Sequence, residues 1–268
     1  MQQSKKRIAV RRSNADYLAA RAYFPRGLVQ PGKGCRFSSD ALLLGSFLHP
    51  EPGMRLLDLG TGSGAVALAM LCRCPSLRVL GVDIQPEYVA AAKTNASRLG
   101  FSRRFTALHA DIRAMNLPIA SDFFDLALTN PPYRQRNQGR LPSNAARLAA
   151  LFEQPDTLAA FCRCAARTLK PGGRFGIIFP AKRREDLLLQ LHNAALLPVR
   201  ILYVHSYTGG PPRVMLVEAI KTQQKDSHQS TINEHSLILH SDRQSRETSD
   251  KTPLFSAAAL AFCPFLAG

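Results

Sequence analysis

Two segments of this chain have residue types suited to chemistry: Asn130-Pro131-Pro132-Tyr133, and a glycine-rich loop, Asp58-Leu59-Gly60-Thr61-Gly62-Ser63-Gly64, that ends 66 residues before it. An exocyclic amine on adenine or cytosine, or an amide nitrogen on glutamine, is a weak nucleophile because its lone pair is delocalised into the adjacent π-system. The side-chain oxygen of Asn130 and the backbone carbonyl of Pro131 can each accept one amine hydrogen, which favours a pyramidal nitrogen with its lone pair available. Proline at 131 and 132 restricts the backbone that aims the carbonyl. The Tyr133 ring can stack on the planar group and hold it in line. No general base is needed, since the amine proton becomes acidic only after the new bond has formed. Asn-Pro-Pro on its own also reads as a turn that ends a strand.

The glycine loop gives this pair its meaning. Gly60, Gly62 and Gly64 let a strand turn sharply into a helix and allow close backbone approach to a ligand. The order Gly-Thr-Gly-Ser-Gly, with Thr61 inside it and Asp58 before it, differs from the Gly-x-Gly-x-x-Gly of dinucleotide sites. It favours S-adenosylmethionine, whose ammonium Asp58 would help bind and whose carboxylate backbone amides would meet. Asp83, 19 residues after Gly64 and followed by Ile84, ends the next predicted strand, where a carboxylate can accept both ribose hydroxyls. Asp111, followed by Ile112, ends the third. It is either the partner of an adenine exocyclic amine or a cap on the backbone from Ile112 onward. The candidate cofactor contacts are therefore Asp58, Gly60, Thr61, Gly62, Gly64, Asp83, Ile84, Asp111, Ile112 and Asn130, and the candidate catalytic group is Asn130, Pro131, Pro132 and Tyr133.

The elements that must carry these residues follow from periodicity. Met54 to Leu59, Leu77 to Asp83, Arg104 to Ala110, Phe124 to Thr129 and Arg174 to Phe179 read as buried strands. Helical patterns lie between them at Ala65 to Cys74, Pro86 to Leu99 and Pro155 to Leu169, the last closed by Lys170-Pro171-Gly172-Gly173. Strands that alternate with helices predict a parallel α/β sheet. A further helix, Lys182 to Ala194, precedes strands Val199 to His205 and Arg213 to Ile220, joined by a turn-rich Thr208-Gly209-Gly210-Pro211-Pro212 that suits an antiparallel pair. The outline is an α/β Rossmann-like class I methyltransferase fold: a seven-stranded, mostly parallel sheet with a C-terminal antiparallel hairpin. One domain is expected over 28–221, with a helix at Asp40 to His49. A basic extension outside the core precedes it at 1–27, and a polar linker and tail follow at 222–268 with one short strand at Leu237 to His240.

The whole-chain numbers narrow the partners. With 268 residues, 46% of them hydrophobic, the chain is long enough for a sizeable core. A net charge of +16, from 35 basic and 19 acidic residues, points to a polyanion: RNA, DNA and an anionic membrane surface all satisfy it. The extension over 1–27 is either a solvated terminus or an arm that contacts RNA. The clusters Arg134, Arg136, Arg140, Arg147 and Lys182-Arg183-Arg184 read as RNA contacts or as a solvated face. No apolar run is long enough to span a bilayer, and no secretory pattern follows the first basic residues, so a cytoplasmic protein is expected. Six cysteines in a chain of this size, without dense spacing, suit free thiols. Cys72-Arg73-Cys74 and Cys162-Arg163-Cys164 lie in helical patterns, where residues two apart diverge by about 200°, so no metal is expected.

Gly34-Cys35-Arg36-Phe37-Ser38-Ser39-Asp40-Ala41-Leu42-Leu43-Leu44-Gly45, the glycine loop, and Asn130 to Tyr133 with Gly139-Arg140 and Asn144 following together resemble the bacterial valine-tRNA adenine-N6 methyltransferase family. The resemblance covers roughly 28–220, and the Phe37 to Leu44 stretch is its most discriminating part. It implies methylation of N6 of an adenosine beside the tRNA anticodon, with Asn130 to Tyr133 at the target base. The basic start and the stretch after Ser241 depart from the family pattern. Release-factor glutamine methyltransferases share Asn-Pro-Pro-Tyr and are the main rival, though they carry a larger helical N-terminal domain. A nucleic-acid-binding module with a vestigial pocket is a rival of another class, and DNA is a third substrate class, for which no target-recognition domain is evident.

Overall fold

The computed structural model describes residues 13–32, 36–114, 117–133, 156–222, 231–241 and 254–267. Arg134, Arg136, Gly139, Arg140, Asn144 and Arg147, and the basic residues of 1–12, lie outside the described residues.

Near-continuous apolar runs produce the central strands β1 (Arg55–Leu59), β2 (Arg78–Asp83), β3 (Phe105–His109), β4 (Phe124–Thr129) and β5 (Leu169–Pro180). All five run parallel in the order β3-β2-β1-β4-β5. Such runs suit strands covered on both faces. Helices α2 (Ser39–Phe47), α3 (Ala65–Arg73) and α4 (Pro86–Arg98) share one apolar layer; α5 (Thr157–Thr168) and α6 (Arg184–Asn193) share the other. Leu56 belongs to the first layer and Leu57 to the second, as strand alternation requires.

The expected hairpin is present: β6 (Leu196–His205) and β7 (Pro212–Lys221) pair antiparallel, and β7 sits between β5 and β6. The sheet has eight strands among the described residues, not the seven expected. The extra strand, β8 (Asn233–Ile238), pairs parallel with β6 from Arg200↔Asn233 to His205↔Ile238. Its residues are mostly exposed and polar, so the apolar signal is confined to Leu237 and Ile238, and the backbone ladder rather than side-chain burial makes most of the strand. Lys170-Pro171-Gly172-Gly173, read as a helix stop, lies inside β5. There it forms an irregularity where the pairing passes from Phe124↔Leu169 to Leu126↔Arg174.

Within 13–27, Phe24 belongs to the core, contrary to the reading of this segment as an outlying extension. Helix α1 (Asn14–Ala22) begins with a capping box between Ser13 and Asp16. It docks on the end of α4, where Arg21 donates to the Leu99 carbonyl at 2.8 Å and lies 4.2 Å over the Phe101 ring. Phe24 is buried and meets Phe265 edge-on at 5.1 Å. Phe265 lies just past α7 (Ala257–Phe262), so Phe24 and Phe265 both join the layer that holds α2 and α3.

Candidate active site

The C-terminal ends of β1, β2, β3 and β4 carry Gly60, Asp83, Asp111 and Asn130 to one edge of the sheet, at the switch point where β1 lies between β2 and β4. After β1 the amides of Gly60 and Thr61 both donate to the Val82 carbonyl, at 2.8 and 2.9 Å, so the loop starts tied to β2. Gly62 has φ +54° and no atom within 4 Å of where a Cβ would stand, which leaves its backbone open to a ligand. Its amide donates to Asp83 Oδ2 at 2.8 Å, and Gln85 N donates to Oδ1 at 2.9 Å. The Ile84 backbone also hydrogen-bonds this carboxylate, which leaves one lone pair for a ligand. Burial raises the Asp83 pKa above the usual carboxylate range.

Asp58 takes a different place from the other acids. It lies beneath the loop, 1% exposed, and accepts from the Thr61 hydroxyl at 2.7 Å. Burial pushes its pKa up to about 7; the Thr61 hydrogen bond opposes the shift and the nearby Asp83 adds to it. Thr61 in turn requires Gly81 on β2, where a Cβ would come within 2.8 Å of the Thr61 hydroxyl. Asp111 accepts from the Arg113 amide at 2.9 Å and from its guanidinium at 2.7 Å, and this arginine holds the carboxyl below its ordinary range.

A cavity of about 230 Å³ opens along this edge. Gly60, Thr61, Gly62, Asp83, Ile84, Asp111, Ile112, Asn130 and Pro132 line it; Asp58, Gly64, Pro131 and Tyr133 do not. The lining runs from the glycine loop, where the Gly62 Cβ position is open space, past Asp83, to the apolar Ile84 and Ile112 beside Asp111. That order of surfaces matches an amino acid, a ribose and an adenine in sequence, so the residues fit S-adenosylmethionine.

Several contributors carry no motif of their own. Asn95, fully buried on α4, donates to the carbonyls of Ser63 and Val29, each at 2.9 Å, and accepts from Val29 N at 2.7 Å. It thus pins the chain at Val29 and the glycine loop to one helix. Thr129 donates to the Leu59 carbonyl at 2.8 Å and sets Asn130 beside Gly60. Arg36 and Phe37 line the cavity; the only sequence signal for them is their place in the Gly34 to Gly45 segment that carries the family resemblance. The Tyr133 hydroxyl donates to Asp40 Oδ2 at 2.8 Å, and its ring meets Phe179 edge-on at 6.4 Å. Of the Lys182-Arg183-Arg184 cluster, Arg183 stacks 4.7 Å over Phe179, and Arg184 pairs with Glu185 and Glu234.

Fold and site together define a class I methyltransferase. Residues 50–205 match the family described as Methyltransferase domain. A predicted O-methyltransferase of Agrobacterium tumefaciens has the same fold, with TM-score 0.64 and 20% identity over 84% of this chain and 96% of that one. The chain belongs to the tRNA1(Val) (adenine(37)-N6)-methyltransferase family. It is 31% identical to the Porphyromonas gingivalis (strain ATCC 33277) protein of that name across 70% of this chain and 76% of the relative. It is also 38% identical to the release factor glutamine methyltransferase of Caulobacter vibrioides, but across 46% of this chain and 44% of that protein.

Proposed function

We propose that the protein transfers a methyl group from S-adenosylmethionine to N6 of an adenosine in tRNA, beside the anticodon. The observation that carries this reading is the convergence of Asn130 and Pro132 with Gly60, Gly62 and Asp83 on one cavity. When bound, the cofactor supplies an electron-poor methyl carbon on a sulfonium. The loop from Gly60 to Gly64, with Asp58 beneath it, would hold the amino-acid end, Asp83 the ribose, and Ile84, Asp111 and Ile112 the adenine. Asn130 and the Pro131 carbonyl accept the two hydrogens of the target amine and aim its lone pair into the cavity. Tyr133 fixes the plane of the base by stacking.

Family membership and charge favour RNA over a protein substrate. The similarity to the tRNA-modifying relative spans most of both chains, whereas that to the release-factor enzyme stops at less than half. A hollow next to Ile112 is lined by Arg113, Arg163 and Arg167, which suits a phosphate backbone passing the cofactor site. Among the described residues no helix is long and apolar enough to cross a membrane, and with tRNA as substrate we place the protein in the cytoplasm.

The test is to incubate the protein with labelled cofactor and either unmodified total tRNA or purified release factor, then digest and identify the product. N6-methyladenosine is the expected product. Label confined to the release factor would overturn the assignment.

A further inference from the structure

Asp40 is a buried carboxylate that the transfer reaction as described leaves unused. It is the second residue of α2, 1% exposed, and its amide lies 3.3 Å from the hydroxyl of Ser38, the helix N-cap. A buried carboxylate is costly unless it is paired and hydrogen-bonded. Here one oxygen accepts the Tyr133 hydroxyl at 2.8 Å, and the other accepts Arg213 Nη2 at 2.6 Å. Its partners therefore come from two elements far away in the chain: the segment after β4 and the start of β7.

The helix that carries Asp40 has little freedom to move. Every residue from Asp40 to Phe47 is buried. Gly45 lets α2 approach α3 so closely that a Cβ there would stand 2.7 Å from that of Ala69. On the other side Arg213, with a side chain 42% exposed, faces the solvent at the same sheet edge as Asn130. The Tyr133 ring is thus held at its hydroxyl by a rigid carboxylate and flanked by the Phe179 edge at 6.4 Å and 80°.

We infer that Asp40 and Arg213 are positioning residues of the transfer step: through the Tyr133 hydroxyl they fix the ring that receives the target base. The inference rests on the reading of Tyr133 as the base-stacking residue. A phenylalanine at 133 would offer the same stacking face, so the hydroxyl contributes alignment rather than contact area. Alignment is what an in-line transfer depends on, because a small misplacement of the reacting group slows the chemical step more than it weakens binding. It also gives the Phe37 to Leu44 stretch a chemical role, since Asp40 is the acidic residue within it.

The experiment compares Tyr133→Phe, Asp40→Asn and the double variant. In the first, the Asp40 and Arg213 pair remains, so folding is preserved even if Asp40→Asn lowers stability. Each single variant is expected to lose about tenfold in kcat, with KM for tRNA and cofactor Kd changed less than about twofold. The double variant is expected to be no slower than either single one, because both changes break the same link. Full kcat in Tyr133→Phe, or losses that multiply in the double variant, would overturn the inference. A readout independent of turnover comes from 3-fluorotyrosine labelling, since the chain has six tyrosines, and the fluorine resonance of Tyr133 is assigned by its absence from Tyr133→Phe. Asp40→Asn should shift that resonance; an unmoved one refutes the link. If the wild-type protein methylates no tRNA, the functional reading fails, and the fluorine measurement still decides the link by itself.

Discussion

In the proposed transfer Asn130 supplies one of two acceptors for the target amine, and it lines the cavity together with Gly60. Asn130→Ala should therefore slow methyl transfer by roughly 10²- to 10³-fold, the cost of removing one well-placed hydrogen-bonding group from a transition state. Cofactor affinity should stay within about twofold, because that binding is spread over the loop and Asp83. Single-turnover rates and calorimetry check both halves. Asp58 leads to a prediction about pH. Its folded pKa, about 7, is raised by burial, so in the folded protein it keeps a proton that the unfolded chain has already released. Such a group contributes its full stability below the ordinary carboxylate pKa of about 4 and loses it as pH rises through the folded value. Asp58→Asn keeps an acceptor for Thr61 and does not titrate. In the absence of cofactor it should be more stable than wild type at about pH 8, with the advantage shrinking toward about pH 5. Urea midpoints across that range test this, and a gap independent of pH would remove burial of the carboxylate as its cause.

At the scale of elements, the site depends on how α4 holds two pieces of chain that do not belong to it. Asn95 satisfies the backbone of Val29 and Ser63 with three hydrogen bonds in a fully buried place. Asn95→Ala leaves those groups unpaired, so unfolding stability should fall by about 2–4 kcal/mol. Because Ser63 belongs to the glycine loop, cofactor affinity should fall with it, whereas a surface change on the same helix such as Lys93→Ala should affect neither. Denaturant titration and calorimetry on both variants separate the effects. The elements most legible in the sequence were those with an apolar period, β1 to β4 and the helices between them. Lys170 to Gly173 misled because Pro and Gly end helices and also make bulges, and the pairing of β4 with β5 decides between the two. The Asn233 to Ser236 part of β8 escaped because a strand at an exposed edge needs no apolar residues on either face.

Across the whole molecule the net charge is +16, and Arg113, Arg163 and Arg167 stand together at the hollow next to Ile112. Neutralising phosphates releases counterions, so tRNA binding should weaken steeply with salt, by about 10³-fold or more between roughly 50 and 200 mM if six or more phosphates are contacted. Cofactor binding in a partly enclosed cavity should change little over the same range. Filter-binding and calorimetric titrations at several salt concentrations check this; a shallow slope for tRNA would reassign the charge to solubility. The termini also act at this scale. Phe24 and Phe265, which lie near opposite ends of the chain, close the layer over α2 and α3, and α2 carries Asp40. Support for the site therefore reaches well beyond the motif-bearing region.

What could be known from residues alone was whatever neighbouring residues encode: the order of strands and helices, the loop that turns at Gly62, and the chemistry of Asn130 and Pro131. Periodicity and backbone preference act over a few positions, so they are written in consecutive letters. The role of Asp40 could not be read that way, because its partners lie 93 and 173 positions further along the chain. A carboxylate is buried only where folding brings its donors to it, and which donors arrive depends on how β7 slots between β5 and β6. Asp58, too, looks from its spacing like a wall of the cofactor site. The packing of Thr61 against Gly81 instead sets it beneath the loop, where exclusion of water governs its charge.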